Sequence, residues 1–221
     1  MTTPEQPAQP MGVPGDATGP PSSPPGSGSH PVQYEVDYPD RPLNRLTSAL
    51  RIFTALPMLI LVASVSGGTY ASGGLVFFGP LLMIVFRQKY PRWWFDWNLQ
   101  LLRFQSRFGV YLALMDDRYP ATDDEQAVHL SLPYPDVPGD LNRWLPLVKW
   151  LLALPHYIVL LFLYLGALFS IVFAWFAILF TGRYPRGLFD YLVGVGRWHT
   201  RVLGYAILLV TDQYPPFSFA P

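Results

Sequence analysis

Two long stretches without charged side chains constrain the fold of this chain more than any other feature. Residues Ile52–Phe86 and Trp150–Gly182 contain no Asp, Glu, Lys or Arg over 35 and 33 residues. Charged residues make up only 14% of the chain, against about 25% in a typical soluble domain. Apolar runs of this length do not fit into the core of a soluble protein of 221 residues. The sequence therefore predicts an integral membrane protein.

The sequence also contains two similar halves. Identical residues recur at separations of 94 to 98 positions, a pattern typical of tandem duplication. We therefore predict a first repeat over 32–120 and a second over 121–221. The clearest matches are Leu43-Asn44-Arg45 with Leu141-Asn142-Arg143, Tyr90-Pro91-Arg92 with Tyr184-Pro185-Arg186, and Asp117-x-Tyr119-Pro120 with Asp212-x-Tyr214-Pro215.

The length of each apolar run suggests two membrane spans rather than one. A bilayer-spanning helix needs about 20 residues, so each run is too long for one span and just long enough for two short ones. We expect spans at about 46–66 and 74–88 in the first repeat. In the second repeat we expect spans at about 144–165 and 167–182, with one long kinked helix or a re-entrant hairpin as the alternative.

Local sequence signals place the turns and kinks of these hairpins. The glycine-rich segment Ser66–Gly74 predicts the first turn, and Gly166 predicts the second. Pro57 and Pro155 are at equivalent depths and are expected to kink the first helix of each pair.

The segments outside the apolar runs have their own periodicity. Amphipathic patterns predict interfacial helices over 91–108 and 185–202, each with an aromatic face and a basic face. Alternating apolar residues predict short strands near Tyr34–Tyr38 and Val128–Leu132. Two further runs are expected to supply pairing strands: Val110–Met115 and Tyr205–Thr211.

Together these patterns predict an α-helical membrane protein built from two tandem repeats. Each repeat is expected to be a transmembrane helical hairpin plus an amphipathic interfacial helix, with short cytoplasmic β-strands. All Lys and Arg residues lie outside the apolar runs, which predicts four spans with both termini cytoplasmic. Residues 1–31 are rich in Pro and Gly and are expected to form a disordered cytoplasmic tail.

The chain resembles a known family from about Tyr34 to the C-terminus, most specifically in its second half. The segments that carry the resemblance are Leu145–Tyr157, Leu179–Asp190 and the ending Thr211-Asp212-x-Tyr214-Pro215-Pro216-Phe217-Ser218. They are similar to actinobacterial membrane proteins classed as domain of unknown function 4389. The first half departs from the pattern, with Met58 in place of His156. The resemblance implies a multi-pass protein of the bacterial inner membrane and no particular activity.

One polar constellation occurs in both halves. Asp96, Arg103 and Arg107 share a face of the first amphipathic helix, and Asp190, Arg197 and Arg201 share the matching face of the second. These arginines are candidates to bind an anionic lipid headgroup or a carboxylate of a protein partner. The alternative, which we favour at this stage, is structural: the arginines bond the backbone or an aspartate of the other half.

No other pattern indicates chemistry. The chain has no cysteine, and the acidic cluster Asp116, Asp117 and Asp123–Glu125 lacks the spacing of a calcium loop. His156 lies within an apolar run, where local hydrogen bonding is a simpler explanation than function. We therefore expect no catalytic residue, metal, cofactor or nucleic-acid partner.

These patterns favour one general function over two alternatives. We predict a non-enzymatic accessory or scaffold protein that engages membrane lipid or a protein partner. A small transporter or channel with two pseudo-symmetric hairpins is the alternative, and a lipid-modifying enzyme at the membrane interface is weaker.

Overall fold

The computed structural model describes residues 30–71, 75–121 and 126–220. The predicted tail therefore lies almost wholly outside the described residues. The described part is helical apart from one two-stranded sheet. Its elements, in chain order, are β1 (Gln33–Val36), α1 (Arg45–Ala49), α2 (Arg51–Ala71), α3 (Leu75–Leu82), a π-helical turn (Met83–Arg87), α4 (Arg92–Leu112), β2 (Val128–Ser131), α5 (Val137–Asp140), α6 (Pro146–Leu152), α7 (Leu154–Thr181) and α8 (Arg186–Ala206).

The two strands form an antiparallel ribbon. Tyr34 lies opposite Leu130, and Val36 lies opposite Val128. These four side chains are buried, while the alternate residues of both strands are exposed. The alternation in the sequence thus reflects one buried face, and the two predicted strands are confirmed at these segments.

Two amphipathic helices lie under this ribbon. Helices α4 and α8 are each 21 residues long and begin directly after Pro91 and Pro185, whose fixed φ suits a helix start. Helix α4 packs against β2, and α8 packs against β1. The structure therefore has helices where the sequence predicts 91–108 and 185–202, although they continue to Leu112 and Ala206. A location at a membrane interface stays a prediction.

Each amphipathic helix also contacts one apolar helix. Ala55 and Met58 of α2 pack against Phe108 and Tyr111 of α4. Leu160 of α7 belongs to a second small cluster with aromatic and aliphatic side chains of α8. The main core fills the space among the ribbon, α4, α8 and the inner face of α7. The ribbon therefore covers one side of the amphipathic helices, and the apolar helices cover another.

The second predicted hairpin is absent, and this corrects the fold class. Residues Leu154–Thr181 form one unbroken helix of 28 residues instead of two spans joined near Gly166. A Cβ added at Gly166 would lie 2.4 Å from the Tyr191 hydroxyl, so this glycine permits close packing of α7 on α8 rather than a turn.

The first predicted hairpin is not supported either. Helix α2 continues to Ala71 through most of the predicted loop Ser66–Gly74, and 72–74 lie outside the described residues. A helix tolerates glycine at about 1 kcal/mol per residue, so glycine alone does not impose a turn. The second predicted arm is short: α3 and the π-helical turn that follows it have 8 and 5 residues, together fewer than a span requires.

The prediction of two tandem repeats with transmembrane hairpins, four spans and a multi-pass topology is therefore wrong. Among the described residues, α7 is the one helix long and apolar enough to cross a membrane. The predicted placement of the termini depended on the four spans and is not supported.

The two additional strands predicted at Val110–Met115 and Tyr205–Thr211 are also wrong. Both segments begin as the last turn of α4 or α8 and then leave the helix. Leu114 and Leu209 adopt positive φ values of 64° and 57° in the exit turns. Apolar residues are common here because the turns are buried under the ribbon, and a run of apolar residues alone does not distinguish a strand from a buried helix end.

The two prolines predicted to kink helices differ in their effects. Pro57 lies inside α2, whereas Pro155 lies in the first turn of α7, where its missing N–H has no helical partner to lose. Helix α6 ends at Leu152, so Ala153 separates two helices at the point where the sequence predicts one kinked span.

Candidate functional site

The arginine pair of α4 lies beside β2. Arg103 donates from Nε to the carbonyl oxygen of Leu130 at 3.2 Å. One turn later, Arg107 donates from a terminal nitrogen to the carbonyl oxygen of Ala121 at 2.6 Å. Because one helical face carries both guanidinium groups, α4 holds two positive charges against the outer edge of the ribbon.

The arginine pair of α8 lies beside β1 in a corresponding arrangement. Arg197 donates from Nε to the carbonyl oxygen of Tyr34 at 3.2 Å, and Tyr34 is the cross-strand partner of Leu130. The same guanidinium donates to the carbonyl oxygen of Phe219 at 2.6 Å and lies 3.6 Å from the Glu35 carboxylate. Arg197 therefore has an internal acceptor from the C-terminal segment and an acidic partner.

Arg201, one turn after Arg197, is almost completely buried. It is 2% exposed, and its Nε has no hydrogen-bond partner among the described residues. Burial lowers the pKa of this guanidinium, and the positive charge of Arg197 acts in the same direction. Arg201 thus serves packing between α8 and its neighbours rather than contact with solvent.

The two aspartates of the predicted constellation do not join the arginines. Asp96 and Asp190 are exposed, and neither takes part in a hydrogen bond or ion pair with another described residue. Arg103, Arg107 and Arg197 bond backbone carbonyls instead, which the structural alternative also allowed. Lipid or partner contact by these six residues stays a prediction.

A polar cavity opens beside the α4 pair. It has a volume of about 410 Å³, within the range of small-molecule sites. Arg103 and Arg107 form one wall, and the ribbon forms the other. We call it the arginine cavity; the ribbon and loop residues that line it are Gln33, Glu35, Gln126, Val128, His129, Leu130 and Ser131.

The sequence reasoning missed a buried ion pair at the start of α2. Arg51 is 2% exposed and lies 2.5 Å from the Asp117 carboxylate. It also donates to the carbonyl oxygens of Tyr111 and Asp116 at 3.1 and 2.7 Å. The other carboxylate oxygen of Asp117 accepts from the backbone N–H of Asn44 at 2.7 Å. These contacts, the first latch, fix the start of α2 to the segment that follows α4.

A second latch has the same design in the second half of the chain. Lys149 is fully buried, and its Nζ lies 2.6 Å from Asp212 and donates to the Thr211 carbonyl oxygen at 2.7 Å. Asp212 also accepts from the backbone N–H of Asn142 at 2.5 Å. Burial lowers the pKa of Lys149, and the hydrogen bond and charge of Asp212 oppose that shift.

The sequence did contain a signal for both latches. Asn44 and Asn142 each precede a basic residue, Arg51 or Lys149, by seven positions, and an Asp-x-Tyr-Pro segment closes each half. A basic residue at the start of each apolar run, with the aspartate of an Asp-x-Tyr-Pro segment 66 or 63 positions later, is the pattern that identifies each pair.

His156 lies in an aromatic enclosure formed by the C-terminal segment. Its Nδ1 accepts a hydrogen bond from the indole N–H of Trp198 at 3.1 Å, and its ring stacks on Phe217 with centroids 4.0 Å apart. The ring is fully buried, and Nε2 has no hydrogen-bond partner within the described part of the chain. The sequence predicts a hydrogen bond to a group close in sequence, whereas the observed partner is Trp198 of α8, 42 positions away.

The acidic cluster is divided among separate contacts. Asp116 pairs with Arg41 and Arg118 at 3.5 and 3.1 Å, while Asp117 belongs to the first latch. Asp123–Glu125 lie outside the described residues. Within the ranges that the structure describes, no group of three or more His, Asp or Glu side chains is placed to hold a metal ion.

Comparison with known proteins gives one match. A family model described as domain of unknown function (DUF4389) matches residues 144–218, about a third of the chain. This confirms the resemblance to a domain of unknown function over that segment, which contains α6, α7, α8 and the Lys149–Asp212 ion pair. Neither the curated proteins nor the solved structures include a match.

Proposed function

We propose that the protein is a non-enzymatic accessory or scaffold protein of the bacterial inner membrane, held in the bilayer by α7. The observation that carries this proposal is the exposure of α7. Only 17% of its most apolar 18-residue window is buried, whereas a helix in the core of a soluble protein is mostly buried. Its 28 residues extend about 42 Å, enough to cross a hydrocarbon layer of about 30 Å with a tilt.

The exposed side chains of α7 support a lipid environment. Soluble monomers rarely expose a continuous apolar patch of more than a few hundred Å². Large apolar side chains on α7 that are at least about half exposed continue over about six turns: Ile158, Leu161, Phe162, Leu165, Leu168, Phe169, Phe173, Phe176 and Phe180. A bilayer is the partner that such a helix, without a single charge, fits best.

Exposed tryptophans extend this apolar surface beyond α7. Trp93 and Trp97 on α4 are both more than half exposed, and Trp144 and Trp150 lie near α6. Tryptophan is enriched where membrane proteins cross the boundary between hydrocarbon and water. We therefore place α4 and α6 near that boundary, with anionic lipid headgroups as candidate contacts.

The accessory role is proposed because the buried polar groups that the structure brings together serve as structural contacts. The charged side chains of both latches form ion pairs and bond backbone carbonyls, and His156 is enclosed by aromatic rings. The transporter alternative depended on two transmembrane hairpins and is not carried forward. A protein partner on the ribbon side is the remaining candidate, and the balanced net charge does not favour nucleic acid.

The test is whether charges on the exposed face of α7 release the protein from membranes. In the double variant Leu168→Asp/Phe169→Asp, each carboxylate at the bilayer centre costs roughly 2.5–3.5 kcal/mol. Both positions are exposed, so the folded core is not disturbed. We expect the wild type to stay in the membrane pellet after alkaline carbonate treatment and the variant to be largely lost from it.

The matched control adds two carboxylates on the ribbon, as Gln33→Asp/Ser131→Asp, where both side chains are exposed. This control should remain in the pellet. A wild-type protein recovered in the soluble fraction, or a double α7 variant that remains in the pellet as fully as the control, would show the proposal to be wrong.

A further inference from the structure

The two arginine pairs differ in what accepts their hydrogen bonds. On α8, Arg197 is covered by the C-terminal segment, since Phe219 supplies a carbonyl oxygen and Glu35 a carboxylate. On α4, the chain supplies one carbonyl oxygen to Arg103 and one to Arg107, and a cavity of about 410 Å³ lies next to them. The α4 pair therefore faces a cavity, whereas Arg197 of the α8 pair is covered by the C-terminal segment. We call the α4 pair the open pair.

The guanidinium groups of the open pair have donors to spare. A guanidinium carries five N–H donors, and each of these two uses one in its carbonyl bond. The Nε of Arg107 is buried and has no hydrogen-bond partner among the residues that the structure describes. Within the described ranges, neither Arg103 nor Arg107 forms an ion pair with a carboxylate.

The two acids that the structure describes beside the cavity have other partners. Glu35 lies at its edge but pairs with Arg197 at 3.6 Å. Asp37 is 2.9 Å from Nε2 of His129, another lining residue. The positive charge of the two arginines is therefore not neutralised by the part of the chain that the structure describes.

We propose that the arginine cavity binds a small organic phosphate. A phosphate group offers several acceptor oxygens and up to two negative charges, which suits two guanidinium groups one helical turn apart. The cavity is larger than a phosphate alone, and Gln33, Gln126 and Ser131 provide polar contacts for a hydroxylated body such as glycerol or a sugar. The phosphate belongs to a soluble metabolite or to a lipid headgroup. This inference goes beyond the proposed membrane role and does not depend on it.

The experiment uses the full chain and has two arms. In phosphatidylcholine nanodiscs, glycerol 3-phosphate is titrated and heat is measured, which reports a soluble phosphate. In mixed micelles of phosphatidylcholine and phosphatidylglycerol, native mass spectrometry measures retained phosphatidylglycerol, which reports a lipid headgroup. Saturable binding in either arm is expected and identifies the source.

Two variants test whether the binding occurs in the cavity. Arg103→Gln/Arg107→Gln removes the charges and should weaken binding at least about tenfold for each arginine. Because each arginine also bonds the backbone, Ser131→Glu provides a second test: it places a carboxylate in the cavity, leaves both arginines intact and should abolish binding. The control Arg118→Gln/Arg183→Gln removes two exposed positive charges outside the cavity and should bind like the wild type.

Three results would overturn the proposal. One is the absence of saturable binding in both arms, and another is binding that neither Arg103→Gln/Arg107→Gln nor Ser131→Glu weakens. The third is binding that occurs only after neutralisation of Asp123, Asp124 and Glu125, because the acidic segment of the chain would then be the natural occupant.

Discussion

Asp212 is the residue whose replacement tests the latches most sharply. In Asp212→Asn, the amide oxygen still accepts from the backbone N–H of Asn142, but the negative charge facing Lys149 is lost. The Lys149 ammonium is fully buried and keeps one neutral acceptor, the Thr211 carbonyl oxygen at 2.7 Å. The variant therefore leaves a buried charge without its counter-charge while changing very little of the packing.

The expected loss of stability follows from these contacts. Breaking a buried ion pair costs about 3–5 kcal/mol. We expect the lower end because the Asp212 side chain is 21% exposed and Thr211 remains as an acceptor. In a chain of this size 1 kcal/mol corresponds to roughly 2–4 °C, so the Tm should fall by about 6–12 °C.

The loss should depend on pH in a defined direction. Without Asp212 to oppose the effect of burial, the pKa of Lys149 in the folded variant falls further below its unfolded value of about 10.4. Between the two pKa values the unfolded chain binds more protons, so stability rises with pH. The deficit of Asp212→Asn relative to the wild type should therefore shrink as the pH is raised towards 10.

The assay is thermal unfolding in detergent over a series of pH values. Lys149→Met/Asp212→Asn removes the buried charge together with its partner and should recover most of the loss. Asp190→Asn, which neutralises an exposed carboxylate, is the control and should lie within about 0.5 kcal/mol of the wild type. A Tm of Asp212→Asn equal to that of the control, or a double variant no more stable than Asp212→Asn, would refute the reasoning.

Two further predictions concern packing around α8. A Cβ at Gly196 would lie 2.6 Å from the ring of Tyr34, so Gly196→Ala should cost about 1–3 kcal/mol in denaturant unfolding. A Cβ at Gly187 would have nothing within 4 Å, so Gly187→Ala should stabilise the protein by up to about 1 kcal/mol. A Gly196→Ala variant more stable than Gly187→Ala would contradict this packing. Trp198→Phe removes the donor to Nδ1 of His156 and should cost about 1–3 kcal/mol by the same assay, and an unchanged midpoint would exclude a stabilising role for this bond.

Periodic signals in the sequence predict much of the fold. Alternation at Tyr34 and Val36 reflects the buried face of a two-stranded ribbon. The amphipathic patterns after Pro91 and Pro185 correspond to real helices, because each buries one stripe under the ribbon or against an apolar helix. These patterns are local, and the folded chain forms the strands and helices that they predict.

The sequence favoured a hairpin where the structure has the single helix α7, because the length of the apolar run was the main guide to the number of spans. A run of 33 residues without charge exceeds one span, but the break lies at Ala153, near its start, and the rest is one long helix. Gly166 resembled a turn signal because contact with Tyr191 also requires a small residue. Packing partners decide between these two uses of glycine, and the sequence of one helix does not reveal them.

Of the two internal partners expected for the arginines, the backbone is observed and an aspartate of the other half is not. Asp96 and Asp190 are exposed, and neither forms an ion pair with a described residue. Arg103 instead reaches Leu130, whose carbonyl belongs to a strand 27 positions away. Such partners depend on how α4 meets the ribbon, which no pattern within α4 encodes.

The position of α7 in the hydrocarbon layer is the central claim, and spin-label accessibility tests it directly. Because the chain has no cysteine, single labels can be placed at Leu168→Cys on the exposed face of α7 and at Ser131→Cys on the ribbon. In reconstituted vesicles we expect the label at 168 to be relaxed by molecular oxygen and shielded from a water-soluble nickel chelate. The label at 131 should show the reverse. A label at 168 that the nickel chelate reaches as readily as the label at 131 would contradict the placement of α7 in the bilayer.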